Sequence, residues 1–420
     1  MITTEGWRVT ADDLIASGKL AQAAIFLQRR LSSSSCSDQS RVEIAAELTD
    51  LFIRQSRYRE AYDAAMLIKS ARRIQFYNNT FVFVLCTRLL LASYIFGIEG
   101  IFCWFMRPLL RATKGASWPE INALLWGTYW QNIDEALRYN LVCCLIADDD
   151  SKKNRSYAFL AYTMAIKGHG VIGLRVLKMA IKFAEKAGDV GARRDLMVWL
   201  GVAYQWSAHQ KESIAIHDQF DKEYPEADPF LKIITYASRL HTSFTDHGPK
   251  KTKDAIDVAF NMSLALKESR NHIQIFGAKS ALLALEGRFN ESDIYLEKAS
   301  KATDRNDNNL DRIIFHSMAI VVSYYKGDLN EALRHLSIGE SYLAAYGAPA
   351  RLKQELHWLR AIVVLGSKNS VTSRLYQSLK IFFGSLNFLS LERTIRASRW
   401  SIRVLTYGAQ IILPCCAPIN

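Results

Sequence analysis

The chain has 420 residues, half of them hydrophobic, with a formal net charge of +12, only 8 prolines and no low-complexity tail, a balance that excludes an intrinsically disordered protein. Its seven cysteines (Cys36, Cys86, Cys103, Cys143, Cys144, Cys415, Cys416) form an odd set without a CxxC pair, which excludes a regular disulfide framework and suits a reducing compartment. The first residues, MITTEGWRVTADDL, carry neither a basic nor an apolar leader region, so the expected location is cytoplasmic.

Taken in chain order, one seven-residue phrase keeps returning: SGKLAQA at 17–23, QSRYREA at 55–61, KGHGVIG at 167–173, SAHQKES at 207–213, EGRFNES at 286–292 and KGDLNEA at 326–332. Each time a turn residue (Gly18, Ser56, Gly168, Ala208, Gly287, Gly327) is followed five places later by a small one (Ala23, Ala61, Gly173, Ser213, Ser292, Ala332). Two antiparallel helices need a tight turn, which glycine allows by tolerating positive φ, and a small side chain where their axes cross most closely. Further turns are expected at Gly248, in DHGPK, and at Gly366, in LGSKN, which sets a step of 39–40 residues from Gly168 onward; weaker turn candidates stand at Gly97 and Asn132. The spacing therefore predicts about ten antiparallel hairpins, an all-α solenoid that grows one repeat at a time. Residues 157–187 show the pattern: Tyr157, Leu160, Ala161 and Met164 recur at three and four, and after Gly168 so do Leu174, Leu177, Ala180, Ile181 and Ala184.

The segment 81–105, FVFVLCTRLLLASYIFGIEGIFCWF, is apolar enough to raise a membrane span. Arg88 and Glu99 interrupt it and Gly97 falls where the register wants a turn, so a buried hairpin is the first expectation, with membrane insertion or an exposed partner-binding patch as the alternatives. Three regions follow: irregular repeats over 1–150, regular repeats over 151–346, and a basic terminal repeat with a capping helix over 347–420. From Ala348 onward ten basic residues face two acidic ones. On a helix at about 390–407, Leu391, Ile395, Ile402 and Leu405 share one face and Arg396, Arg399 and Arg403 share another. That face reads first as the polar cap of the array, then as a site for an acidic protein segment, with nucleic acid or an anionic membrane as the remaining alternatives.

One repeat resembles a known family. Residues 200–204 read LGVAY, and the chain continues through Ser213 and His217 to Pro225, which is similar to the tetratricopeptide pattern of Leu-Gly-x-x-Tyr, a small residue, an aromatic and a closing proline. Met197 stands where the family favours Trp, Ser213 where it favours Ala, and His217 where it favours an aromatic, and the period is nearer 40 than 34. The resemblance is therefore to the longer tetratricopeptide-like variants. It implies a right-handed superhelix whose first helices line a continuous concave channel for a segment of a partner protein. Carried over by distance from each turn, the lining positions are Arg155, Tyr162, Asp195, Gln205, Trp206, Gln274, Ser317, Tyr324 and Tyr325. The clamp of basic residues and Asn with which some family members grip acidic C-terminal peptides does not stand at these positions.

Enzymatic signatures are thin. The string Gly168-His-Gly170-Val-Ile-Gly173 satisfies GxGxxG, but the residues before it have helical periodicity and the hairpin explains the glycines. No phosphate loop, HExxH or GxSxG is present. The expectation is a non-catalytic scaffold, adaptor or regulatory subunit with no metal or cofactor, whose partner is another protein rather than nucleic acid. Association with nucleic acid or a membrane, through the basic C-terminal end or residues 81–105, is the alternative.

Overall fold

The computed structural model describes residues 6–366, apart from 34–35, 56, 77–79, 97–112, 114, 208 and 266–270. The described residues form helices and connections, with no β-strand among them. In chain order the helices are α1 (Gly6–Ala16), α2 (Leu20–Leu31), α3 (Asp38–Arg54), α4 (Tyr58–Arg72), α5 (Thr80–Phe96), α6 (Trp118–Tyr129), α7 (Ile133–Ile146), α8 (Asp150–Ile166) and α9 (Gly170–Lys186). They continue with α10 (Val190–Trp206), α11 (Gln210–Glu223), α12 (Pro229–Lys251), α13 (Lys253–Ala265), α14 (His272–Leu285), α15 (Phe289–Asn306), α16 (Asn309–Tyr325), α17 (Leu329–Tyr346) and α18 (Ala350–Gly366). Consecutive helices pair as the turn phrases predict, and the fold is an all-α array of antiparallel helical hairpins.

The turns are made by one recurring device. Gly18, Gly168, Gly287 and Gly327 all adopt positive φ, and each is closed by two backbone bonds. At Gly168 these run from Gly168 N to Ala165 O (3.0 Å) and from His169 N to Met164 O (2.8 Å); at Gly327 they run from Gly327 N to Tyr324 O (3.0 Å) and from Asp328 N to Ser323 O (2.9 Å). Such a pair satisfies the last carbonyls of the first helix and reverses the chain. The next helix is often started by a side chain: Asn132 accepts from the Asp134 and Glu135 amides, Asp189 from Ala192, Asn308 from Asp311 and Asp328 from Glu331.

The crossing positions behave as their size requires. A Cβ added to Gly173 would lie 2.3 Å from the Ala161 carbonyl oxygen, and Ala23, Ala61 and Ala332 are fully buried. Where the small residue is serine, its hydroxyl joins the two helices: Ser213 Oγ donates to Gly201 O (2.8 Å), and Ser292 Oγ donates to Ser280 O (2.9 Å). The expected turn at Gly248 is displaced, because α12 runs on to Lys251 and the chain turns at Thr252. Five places after Gly248 stands Lys253, too large for a crossing, so the second half of the signature is missing there. The turn positions Ser56, Ala208 and Gly97 lie outside the described residues, as do residues 367–420 and with them Arg396, Arg399 and Arg403.

First helices stack on first helices, α8 on α10, α10 on α12, α12 on α14, α14 on α16 and α16 on α18. Second helices pack back onto the first helix of the following hairpin: α9 on α10, α11 on α12, α13 on α14, α15 on α16. The first helices are therefore the inner wall and the second helices the outer. The apolar α5 packs across α7, α8 and α9, and no helix among the described residues is long and apolar enough to cross a membrane.

Candidate functional site

Aromatic side chains from successive first helices meet on the inner wall. Trp126 of α6, Phe159 and Tyr162 of α8 and Trp199 of α10 form one group, with ring centroids 4.3 Å apart for Trp126–Phe159, 5.3 Å for Phe159–Trp199 and 6.4 Å for Tyr162–Trp199. Tyr162 and Tyr129 join hydroxyl to hydroxyl at 3.0 Å, and burial pushes the Tyr162 phenol up to about 12. Trp206, Tyr324 and Trp358, from α10, α16 and α18, pack on the same core while staying partly accessible. Helical first-helix registers place these rings. Trp126 stands six residues before Asn132, as Tyr162 does before Gly168.

The bore that these rings line is narrower than a free channel. His241 Nε2 on α12 comes within 3.7 Å of Glu355 Oε2 on α18, three hairpin steps further on, with both side chains 12% exposed. Successive superhelical turns also touch. Gln131 Nε2 donates to Asp307 O (2.9 Å), Asn309 Nδ2 to Gln131 O (2.8 Å) and Leu310 N to Trp130 O (3.2 Å), while Asn132 Nδ2 donates to Ala345 O (3.3 Å). Lys167 Nζ pairs with Asp134 Oδ1 (2.5 Å) and donates to Gly347 O (3.0 Å). The turn edge of hairpins α6–α7 and α8–α9 thus meets the opposite edge of α16–α17 and of α18, five hairpin steps later. Repeat spacing predicts stacking between neighbours; it does not set the small rotation per repeat that decides where the superhelix meets itself.

The nine lining positions divide by environment. Arg155 is exposed. Asp195 is held by Arg194 at 2.9 Å, Gln205 accepts from Ser238 Oγ at 2.5 Å, and Gln274 Nε2 donates to Ala237 O at 3.3 Å. Tyr162, Trp206 and Tyr324 face the common aromatic core. Tyr325 instead packs on the cluster around Ile275 and Met318, and Ser317 is 2% exposed with its hydroxyl buried. Trp126, Trp199 and Trp358 were absent from the expected lining; of the three, Trp126 repeats a lining register, that of Tyr162.

Beneath the wall, His217 is fully buried. Ser238 Oγ donates to Gln205, so its oxygen accepts from His217 Nε2–H (2.9 Å) and leaves Nδ1 as a buried lone pair. Burial first, then the nearby Arg239 charge, lowers the His217 pKa to about 3. The ring sits where it does because Gly201 makes room: a Cβ there would fall 2.4 Å from His217 Cε1.

On the outer side, α15, α16 and α17 frame a cleft of about 500 Å³ whose lining includes Asp293, Glu297, Arg312, His316 and His335. Glu331 accepts from His335 Nε2 (3.2 Å), so His335 Nδ1 accepts from His316 Nδ1–H (2.9 Å). Burial lowers both imidazoles, His316 to about 4. Among the described residues no three His, Cys, Asp or Glu side chains meet in a metal-binding group.

No family model and no curated protein matches the chain. Among solved structures it is similar to a Rap protein complexed with competence and sporulation factor, at 11% identity over 97% of this chain and 99% of that one, with a TM-score of 0.49. It is also similar to the tetratricopeptide domain of P58(IPK), at 11% identity over 87% of this chain and 99% of that one, with a TM-score of 0.21.

Proposed function

We propose that the chain is a non-catalytic scaffold that holds a segment of another protein against its inner wall. The observation that supports this reading is the convergence of partly accessible rings from four first helices: Tyr162 on α8, Trp199 and Trp206 on α10, Tyr324 on α16 and Trp358 on α18. Rigid rings give a large contact area at little cost in side-chain entropy, which is why they dominate the energetics of protein interfaces. Arg155 and the Arg194–Asp195 pair supply charge on the same helices. The partner segment would bind where the rings remain accessible, the superhelix being bridged at its turns and at His241–Glu355.

Affinity purification of the intact chain from its own cells, read by mass spectrometry, tests the proposal when run beside a Trp206→Ala/Tyr324→Ala variant. A protein recovered with the parent and lost with the variant, while circular dichroism shows undiminished helix, is the expected result. Recovery of the same proteins by both would refute the inner wall as the binding surface.

A further inference from the structure

The outer wall carries a second surface of different chemistry. Along α9, Arg175, Lys178, Lys182 and Lys186 are all exposed, and their spacings of three, four and four residues place them on one helix face. None of the four makes an ion pair among the described residues; Lys178 Nζ instead lies 5.4 Å from the Tyr204 ring. The one acidic residue among them on α9, Glu185, is engaged by Arg193 at 2.9 Å. The same stretch also exposes Val171 (64%) and Phe183 (40%), so the cations stand beside apolar surface.

α5 lies beside this stripe. It packs on α9, with Tyr94 against Phe183 at 6.1 Å and Arg88 Nη2 against His169 Nδ1 at 2.5 Å. Its buried side is Phe83, Leu90, Leu91 and Tyr94. Its other side is also apolar: Leu85, Leu89 and Phe96 are 45%, 48% and 76% exposed. Their spacings of four and seven residues align them within about 40° on a helix at 100° per residue. A surface helix ordinarily turns polar residues outward, and here Arg88 is the one charged residue on α5.

We infer that α5 and α9 together form a docking face for an anionic lipid surface, with the α5 stripe entering the interfacial layer and the α9 cations meeting the headgroups. Charge complementarity selects this occupant. An apolar stripe alone would suit a second copy of the chain, but a copy would bring its own α9 cations against these, whereas an anionic bilayer supplies the opposite charge and an apolar boundary in the same plane. Helix α5, the described part of the apolar segment 81–105, thus serves as a surface contact rather than a span. This inference concerns the outer wall and stands apart from the inner-wall reading.

The full-length protein would be sedimented with vesicles of phosphatidylcholine alone and of phosphatidylcholine mixed with phosphatidylglycerol. Binding to the mixed vesicles only, weakened by added salt and unaffected by millimolar inorganic phosphate, is the expected outcome. Lys178→Glu/Lys182→Glu should weaken that binding by at least about tenfold, each surface cation contributing roughly fivefold near an anionic membrane. Leu89→Asp/Phe96→Asp should weaken it too, with the helical circular dichroism retained. Lys178→Gln/Lys182→Gln, at two exposed positions without an ion pair among the described residues, gives the same reading should a carboxylate variant fold poorly. Equal binding to both vesicle types, no binding to either, insensitivity to the lysine variants, or displacement by free phosphate would overturn the inference. So would a stable dimer in sedimentation that Leu89→Asp/Phe96→Asp dissolves and that excludes vesicles.

Discussion

Replacing Lys167 with alanine should destabilise the protein by about 2–3 kcal/mol, and most of that loss should depend on Asp134. The lysine is 11% exposed and the aspartate 22%; their 2.5 Å contact, with the bond to Gly347 O, joins the α8–α9 turn to the start of α7 and to the α17–α18 connection. A charge-assisted hydrogen bond contributes about 1.5–3 kcal/mol. Removing one member of a fully buried pair costs about 3–5 kcal/mol, because the other charge is left without compensation, and the residual exposure of Asp134 trims that figure. The assay is urea unfolding of the parent, Lys167→Ala, Asp134→Asn and the double variant. The double variant should be more stable than the sum of the single losses predicts, with a coupling of about 1–2 kcal/mol. A coupling below about 0.5 kcal/mol would show that the contact between superhelical turns contributes nothing, and the bridged bore would lose its energetic basis.

Gly201→Ala should cost about 1–3 kcal/mol in urea unfolding despite alanine's better helix propensity, since the added methyl meets the His217 ring at 2.4 Å and that ring is tied to Ser238. A neutral or stabilising result would mean that the ring can retreat. The His217 pKa of about 3 lies below the unfolded value near 6.5, so the unfolded chain takes up the proton first. The associated stability is fully present above pH 6.5 and is lost as pH falls toward 3, with about 2 kcal/mol gone by pH 5. Unfolding free energies at pH 7 and pH 5 should therefore differ less for His217→Gln than for the parent; equal pH dependence would contradict the buried neutral ring.

The repeat unit was legible in the sequence because its constraints are local. Glycine at 18, 168, 287 and 327 is required by the positive φ of each turn, and the residue five places on is small because the helices cross there, as at Gly173, where an added Cβ would meet the Ala161 carbonyl oxygen. At Gly248 the crossing half of the signature is missing, Lys253 standing five places on, and α12 runs through the glycine–proline pair to Lys251. The inner wall was half legible: Tyr162, Trp206 and Tyr324 came from their distance to a turn, and Trp126 shares the Tyr162 register but sat in a less regular repeat. Contacts such as Gln131 with Asp307 or His241 with Glu355 were not legible at all. They depend on the sum of several small rotations between hairpins, and no single repeat encodes that sum. The cationic stripe of α9 was visible residue by residue, but only the packing of α5 beside it gives it an apolar neighbour.

The contact between superhelical turns also bears on how the chain reaches its native state. In an open array each repeat touches only its neighbours, so folding can begin anywhere and spread, and stability is close to a sum over repeats. Here residues 176 to 213 positions apart are hydrogen-bonded, and such distant pairings are slow to form because a long loop must close before they contribute. Helices α16–α18 consequently complete a structure begun in the first half of the chain. During synthesis the α6–α7 and α8–α9 turns wait, with Asp134 and Lys167 still uncovered, until the ribosome has delivered residues 307–350.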